Sequence, residues 1–549
     1  MRVLGLGGSH HDFCACVVVD GKVVSAVEEE RLTRVKLAFG LGPRLQRCLA
    51  AQYVLDEAGL RLDDIDLVIA NDFINPVYVL RMRDRIRWIG HHLSHAASTF
   101  YSSPFDRCAV LVMDGRGSSV HTDEGLFGET ITCYMADGDG LRPIAAQAGR
   151  VTLTDVRSED PYEDSVGWMY EIVSKSIGFV GPGGMGEPGK TMGLAAYGSP
   201  RYVKDLAATY MLRDGQFRQS VADQIRMRSF VDEELRRAGS QQTSDEIRAD
   251  FAYAVQQNIE RIVLHIARWL HGQTGERRLC LAGGVALNSV ANFKILEETP
   301  FDELHIVPAA GDSGTGLGAA LHGYHEMGGH PWKPACEPFS PFLGREYDGA
   351  AIETAIAGAA GLIRSERPAD ICEAVAAELD RGAVIGWFQG RSEVGPRALG
   401  NRSILADPRP AGMKDRINAK VKHREPFRPF APIVRQHRQG EFFTTDVPAP
   451  YMLLVPAVRP DKREVIAAVT HVDGSARLQT VLPELSPKLD LLLAAFERRT
   501  GIPLLLNTSF NDNNEPIVET PADAMRCFLN TGLDLLVLGD VLISKVSAS

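Results

Sequence analysis

Histidines 91 and 95 stand four positions apart in the run His91-His92-Leu93-Ser94-His95. On a helix that spacing puts both imidazoles on one face, about a turn apart, which suits two nitrogens on one metal ion. Two aspartates can complete the set. Asp114 follows the apolar run Cys108–Met113 at a Gly-rich turn, and Asp312 sits in a second post-strand turn with Gly311 and Gly314. Strand ends are where α/β proteins gather ligands. Two histidines and two carboxylates with open positions suit Fe(II), Mn(II) or Zn(II). His11, beside Asp12 in the first Gly-rich turn, has the chemistry of a general base for an alcohol. The plain alternatives are a chance cluster of histidines, turn-forming or capping aspartates and a turn histidine.

A second group is cationic. Between 386 and 438 there are twelve Lys/Arg and four Asp/Glu, a local balance of +8; the chain carries −11, so the remainder sums to −19. These arginines alternate with Gly, Pro and apolar residues, and arginine grips phosphate and carboxylate bidentately. A cationic pocket inside an acidic protein points to a small, dense, anionic ligand such as a nucleotide with a second phosphate ester. Arg397, Arg402, Lys422 and Arg428 come from this stretch. Arg477 lies farther on, and Asn507, Thr508 and Ser509 end a strand over 504–507. With twelve basic residues against four acidic ones, most should lack local acid partners. Surface salt bridges are the bland reading. A single-stranded nucleic-acid site would need stacking platforms, and only Trp387, Phe388, Phe427 and Phe430 are near.

The elements that must position these residues can be read coarsely. A strand, a Gly-rich turn and a hairpin at Asp20-Gly21 fill the first thirty residues. An amphipathic helix is expected over 41–58 and a strand over 67–70. The strand, turn and hairpin pattern returns near 109–147. Such duplication is how the actin/sugar-kinase/Hsp70 type of fold is built. The eight glycines of 178–198 predict a binding loop or hinge without a regular element. A long amphipathic helix is expected over 245–271, strands over 279–282 and 304–307, and a linker over 323–347. An α+β segment follows, with a helix over 371–381 and strands over 384–388, 452–455 and 504–507.

With 549 residues, 45% hydrophobic and 23% charged, the chain has the composition of a soluble protein of several domains. No apolar run reaches the roughly 18 residues of a membrane span, and the N-terminus reads as a strand and turn, not a leader. Nine scattered cysteines without C-x-x-C spacing predict reduced thiols in a cytoplasm. The acidic balance argues against nonspecific nucleic-acid binding.

Laid side by side, the motifs HDFCA, EEERLTR, HHLSHAA, MDGRG, GKTMGLAAYG, LAGGVALN, GDSGTGLGAAL, GRSEVGPRALGNRSILADPR, KHREPFRPFAP and LLNTSFN resemble those of the O-carbamoyltransferases of natural-product tailoring and nodulation-factor decoration. The resemblance covers nearly the whole chain. It implies an N-terminal domain, 1–345, similar to the metal-binding, sugar-kinase-like protein of threonylcarbamoyl-adenosine synthesis. It implies a C-terminal domain, 346–549, similar to that protein's YrdC-like partner. The second would make carbamoyl-adenylate from carbamoyl phosphate and ATP with Mg2+; the first would pass the carbamoyl group to a hydroxyl of a small acceptor.

Residue by residue, the resemblance assigns His91, His95, Asp114 and Asp312 to a divalent transition metal, Fe2+ first, and His11 to the transfer step. Arg397, Arg402, Lys422, Arg428, Arg477, Asn507 and Ser509 fall to the carbamoyl phosphate and nucleotide pocket, with Arg397 and Lys422 also catalytic. The loops 183–193 (Gly183, Gly184, Lys190) and 283–288 (Gly283, Gly284, Asn288) would touch nucleotide. His10, Phe13 and Cys14 crowd His11 where small residues are usual, which leaves open whether His10 or His11 faces the acceptor. Insertions at 123–128, 156–170 and 212–239 should line the acceptor pocket. The expected partners are a hydroxylated small molecule and, by default for an enzyme of this size, a second copy of the chain, with neither nucleic acid nor membrane. Threonylcarbamoyl transfer to tRNA and a non-catalytic nucleotide-binding regulator are the alternatives.

Overall fold

The structure is a computed structural model that describes residues 1–151, 162–334 and 338–546. Residues 156–161 of one expected acceptor-lining insertion and 335–337 of the expected linker lie outside them. The chain folds as two compact units, the first Met1–Glu29 with Leu37–Phe339, the second Glu30–Lys36 with Ser340–Ser549. Both are mixed α/β.

The first unit repeats one sheet plan. In the first sheet, Arg2–Gly7, Cys14–Val19 and Lys22–Glu28 form an antiparallel meander, and Leu67–Asn71 and Ile86–Ile89 add in parallel beside Arg2–Gly7. In the second sheet, Cys108–Met113, Gly125–Asp137 and Gly140–Arg150 form the meander, and Arg278–Ala282 and Glu303–Ile306 add in parallel beside Cys108–Met113. The duplication expected from the two hairpins is present. Parallel strands covered on both faces read as apolar runs, and all six residues of Cys108–Met113 are buried.

Glycine fixes the seam between the sheets. The helix Thr315–His322 lies so close to Arg2–Gly7 that a Cβ on Gly5 would stand 2.1 Å from the Gly316 carbonyl. A Cβ on Gly318 would stand 1.7 Å from the Ser94 carbonyl, on the helix His91–Phe100. Three glycines thus let a strand and two helices meet at backbone distance, which brings the turn ahead of Thr315 to the start of the His91 helix.

Three expected elements differ. The helix over 41–58 is broken: Gly42–Arg47 is a 3-10 turn, Cys48 is left-handed (φ 47°), and the α-helix runs Leu49–Glu57. The Gly-rich stretch 178–198 does hold a helix, Pro188–Ala195, opened by a proline at its first position. It packs on the long helix Gln241–Thr274, and Gly198 sits where a Cβ would lie 2.1 Å from the Ala249 carbonyl. Those glycines serve close packing as well as turns. Residues 452–455 make only an isolated bridge, Leu454 to Leu478, next to a left-handed Met452 (φ 58°).

The second unit is an eight-stranded mixed sheet ordered Ile363–Glu366, Val541–Lys545, Leu535–Leu538, Ile385–Phe388, Arg402–Ala406, Leu504–Ser509, Ala431–Arg435 and Gln479–Val481. The helices Ile371–Asp380 and Pro487–Thr500 close one face over Trp387, Leu405, Ile433 and Leu505. Trp387, Phe388 and Phe430 are buried, so these rings are not open for stacking on bases. The eight described cysteines are free and buried. Among the described residues no helix is long and apolar enough to cross a membrane.

Candidate active sites

His91 opens the helix His91–Phe100, so His95 follows it by one turn on the same face. Asp114 leaves the end of Cys108–Met113, and Asp312 starts the short turn before Thr315–His322. The four converge: one donor atom from each lies within 4.8 Å of all the others, and all four residues are buried. His91 Nε2 is 3.2 Å from Asp114 Oδ2 and 3.5 Å from Asp312 Oδ1; His95 Nε2 is 3.5 Å from each and 3.1 Å from His91 Nε2. Donors about 2.1 Å from a shared ion sit about 3 Å apart when they subtend a right angle, so the set fits a divalent cation.

The tautomer agrees. Asn71 donates through Nδ2 to the Gly8 carbonyl and to Thr315 Oγ1, which turns its Oδ1 toward His91 Nδ1 at 3.2 Å. His91 then carries its proton on Nδ1 and offers the Nε2 lone pair to the cluster. Asp114 Oδ1 accepts the Gly284 N–H at 3.0 Å, leaving Oδ2 for the cluster. The paired aspartates favour the protonated histidines. Burial opposes charge on His91, yet Asp312 and Asp114 outweigh it and raise its pKa to about 10. Burial and Asp312 push Asp114 up, but hydrogen bonds from both histidines hold it well below the carboxylate range. His92, between the two, faces elsewhere: its Nδ1 meets Thr132 Oγ1 at 2.7 Å, and burial lowers its pKa to about 3.

His11 pairs with Asp12 through Nδ1 at 3.0 Å and keeps 29% of its side chain exposed. Burial works against its charge, while Asp12, Asp312 and Asp114 raise its pKa to about 9. Two of those three carboxylates belong to the four-residue cluster that could hold a metal, where a dication would offset their share. Among the described residues His10 has no carboxylate at hydrogen-bond distance; its ring meets Phe73 edge-on at 5.7 Å.

In the second unit the cationic stretch divides. Arg409, Arg416, Arg435 and Arg438 find acids far along the chain: Asp380, Asp534, Asp490 and Glu497. Folding thus supplies these four with carboxylates that a count within the stretch does not see, and Arg409 also bonds Asp407 inside it at 2.7 Å. Arg397, Lys422, Arg424 and Arg477 make no ion pair among the described residues, and Arg428 has Glu425 at 3.7 Å. The Nε atoms of Arg397 and Arg477 are buried without a hydrogen-bond partner.

These cations repel one another. Burial and Arg428 lower the Arg397 pKa to about 10; burial and Arg428 lower Arg424 to about 9. Burial with Arg397, Arg424 and Arg428 holds Arg477 well down. Burial, then Arg424 and other cations, holds Lys422 well below the usual ammonium range. A set of cations this close has the charge to receive a polyanion.

Other expected residues are placed as follows. Lys422 Nζ donates to the Ser509 carbonyl (2.5 Å), the Asn511 carbonyl (3.0 Å) and Asn511 Oδ1 (2.6 Å). Asn507 donates to the Ala398 carbonyl and Gln479 Oε1, which ties the central strand to the loop after Arg397. Arg402 is fully buried. Its guanidinium lies 3.6 Å over Phe388 and donates to the Gln389 and Gly390 carbonyls. Through these carbonyls Arg402 holds the turn at 389–390.

Glu393 fixes the same loop, accepting the N–H groups of Leu399, Asn401 and Arg402. Gly183 (φ 68°) abuts Phe39, and Gly184 (φ 78°) faces open space. Lys190 pairs with Glu187 at 2.6 Å. Gly283 (φ 90°) lies against the Met113 carbonyl. Asn288 is buried, caps the helix Ser289–Glu298 and bonds Gln256.

The Carbamoyltransferase N-terminus family model matches residues 2–78 and 73–321, and the Carbamoyltransferase C-terminus model matches 376–545. The chain belongs to the carbamoyltransferase family. It is an enzyme, a transferase. It is 40% identical to nodulation protein NolNO of Sinorhizobium fredii over 98% of this chain and 80% of that protein. It is 35% identical to the uncharacterized protein sll1178 of Synechocystis over 100% of this chain and 97% of that protein. It is 36% identical to the 3'-hydroxymethylcephem-O-carbamoyltransferase of Amycolatopsis lactamdurans over 48% of each.

Sequence reasoning missed Asn71, Arg424 and Asn511 in this carbamoyltransferase. Arg424 and Asn511 lie inside motifs already singled out, KHREPFRPFAP and LLNTSFN. Asn71 was visible only as the polar end of the apolar run Leu67–Asn71.

Proposed function

We propose that the protein is an ATP-dependent O-carbamoyltransferase with one half-reaction in each unit. The observation that carries this reading is the cluster of Arg397, Lys422, Arg424 and Arg477 in the second unit, which make no ion pair among the described residues, with Arg428 beside them: a receptacle for several phosphates. Carbamoyl phosphate loses phosphate to water there, and the resulting carbamate attacks the α-phosphorus of Mg2+-bound ATP. A C–O–P linkage forms, pyrophosphate leaves, and the product is carbamoyl-adenylate. Arg397 and Lys422 offset charge on the phosphates.

The mixed anhydride then passes to the first unit. The acceptor hydroxyl attacks the carbamoyl carbon, the bond to AMP breaks, and His11 takes the hydroxyl proton with Asp12 orienting its ring. His91, His95, Asp114 and Asp312 would hold the divalent metal, Fe2+ by preference, which supplies Lewis-acid polarisation when bound. We assign an actin/sugar-kinase/Hsp70-like architecture to the first unit on its doubled sheet, and a YrdC-like one to the second. The acceptor is a small hydroxylated natural product; the cephem relative's name specifies a hydroxymethyl group. The setting is cytoplasmic, as a homodimer.

The test is pyrophosphate release from ATP and Mg2+, with and without carbamoyl phosphate. Release that depends on carbamoyl phosphate, followed by carbamoylated acceptor in mass spectra, supports the reading. Absence of release with acceptor and metal both supplied overturns it.

A further inference from the structure

The motif Glu28-Glu29-Glu30-Arg31-Leu32-Thr33-Arg34 has no part in either half-reaction so far. Glu29 ends the first stretch of the first unit by accepting the Leu49 and Ala50 N–H groups at 3.1 and 2.8 Å. The next seven residues, Glu30–Lys36, pack with the second unit, more than three hundred positions away in sequence. The Arg31 side chain is 1% exposed, and its Nη2 donates to the Gly395 carbonyl at 2.7 Å. Gly395 is left-handed (φ 99°) and precedes Arg397 by two residues.

Arg34 grips two successive carbonyls: Nη1 donates to Ile517 and Nη2 to Pro516, each at 2.7 Å. Asp523 and Glu515 stand 3.7 and 3.8 Å from the same guanidinium. Pro516 and Ile517 belong to the loop closed by the Val518 N–H on the Phe510 carbonyl at 2.9 Å. That loop carries Asn511, which clasps Lys422 and is itself held by an Nδ2 bond to the Glu515 carbonyl at 2.7 Å.

We propose that Glu30–Lys36 is a positioning clamp for the anion pocket of the second unit, in which Arg31 sets the loop bearing Arg397 and Arg34 sets the loop that holds Lys422. The inference rests on the proposed function of that pocket. Arginine suits the task because its planar fork reaches two carbonyls at once. Neither arginine touches substrate; both act through the loops they hold. A binding site left to flexible loops loses preorganisation, and a displacement of about 1 Å can cost 10²-fold. Lys36 adds positive charge that helps hold down the Lys422 ammonium.

The test uses the full chain carrying Arg34→Ala, Arg34→Lys or Arg397→Ala. Inorganic phosphate binding is measured by calorimetry, and the KM for carbamoyl phosphate by pyrophosphate release. Arg34→Ala should weaken both by about tenfold or more, with kcat and circular dichroism near wild type, and Arg34→Lys should recover part of the loss. Wild-type phosphate affinity and KM in a folded Arg34→Ala protein overturn the clamp. If Arg34→Ala does not fold, Arg34→Lys decides on the same criterion. If the wild-type chain binds no phosphate and Arg397→Ala changes nothing, the pocket reading itself falls, and the clamp with it.

Discussion

The Nδ1 of His91 and the Oδ1 of Asn71 meet at 3.2 Å, and this one contact orients the imidazole from outside the His/Asp cluster. It leaves His91 Nε2 as an acceptor 3.1 Å from the Nε2 of His95. Replacing Asn71 by Leu keeps the volume and removes the acceptor. Outer partners of this kind are worth about 10–100-fold in metal affinity. Asn71→Leu should therefore bind Fe2+ or Zn2+ that much more weakly in a chelator competition, with the fold intact by circular dichroism.

Stripping the metal should separate the half-reactions. Chelator-treated protein, or Asp312→Asn, should release pyrophosphate from ATP and carbamoyl phosphate at close to the untreated rate while making no carbamoylated acceptor. Metal content by elemental analysis should fall in step with transfer. Pyrophosphate release that falls with the metal would show that one site serves both steps.

His11 lies on the transfer side of the same division. His11→Ala should lose carbamoyl transfer by about 10²–10⁴-fold, the usual worth of a positioned general base, and still form carbamoyl-adenylate. His10→Ala should lose less, since the His10 ring rests on Phe73 and has no carboxylate at hydrogen-bond distance among the described residues. The reverse ranking in an acceptor assay would assign the proton transfer to His10.

The arginine pocket trades stability for binding. Arg477 is pressed by Arg397, Arg424 and Arg428 and makes no ion pair among the described residues. Arg477→Gln should leave thermal stability unchanged or raise it by about 1 kcal/mol, as relief of strain at functional sites does. The same change should cut carbamoyl phosphate-dependent pyrophosphate release by about 10²–10³-fold. A variant that is both inactive and markedly less stable would mean that Arg477 is structural.

Acid should act through buried neutral histidines. His305, buried beside Ser102 Oγ at 3.1 Å, has its pKa lowered by burial from 6.5 to about 3. Between those values the unfolded chain binds a proton that the folded chain refuses. This contribution is complete above pH 6.5 and is lost as pH falls toward 3, by about 1.4 kcal/mol per pH unit. Denaturant melts of His305→Asn should show a shallower acid slope across that window than wild type.

Much of this protein was legible before folding. Apolar runs and Asp-Gly turns found most of the first unit's strands and the doubled hairpin, and periodicity found the long helix, because apolar patterning records burial directly. The i, i+4 histidines declared a shared face once the stretch was helical, and the strand-end aspartates stood where turns must be. Tertiary structure decided what distance along the chain conceals. It matched Arg409, Arg416, Arg435 and Arg438 to acids far away, and left Arg397, Lys422, Arg424 and Arg477 without an ion pair among the described residues. It turned the Arg402 guanidinium over the Phe388 ring and onto the Gln389 and Gly390 carbonyls. It also moved Glu30–Lys36 into the second unit. Local pattern reports the environment of a residue's own segment, whereas charge pairing and carbonyl capture depend on which distant backbone folding brings within 3 Å.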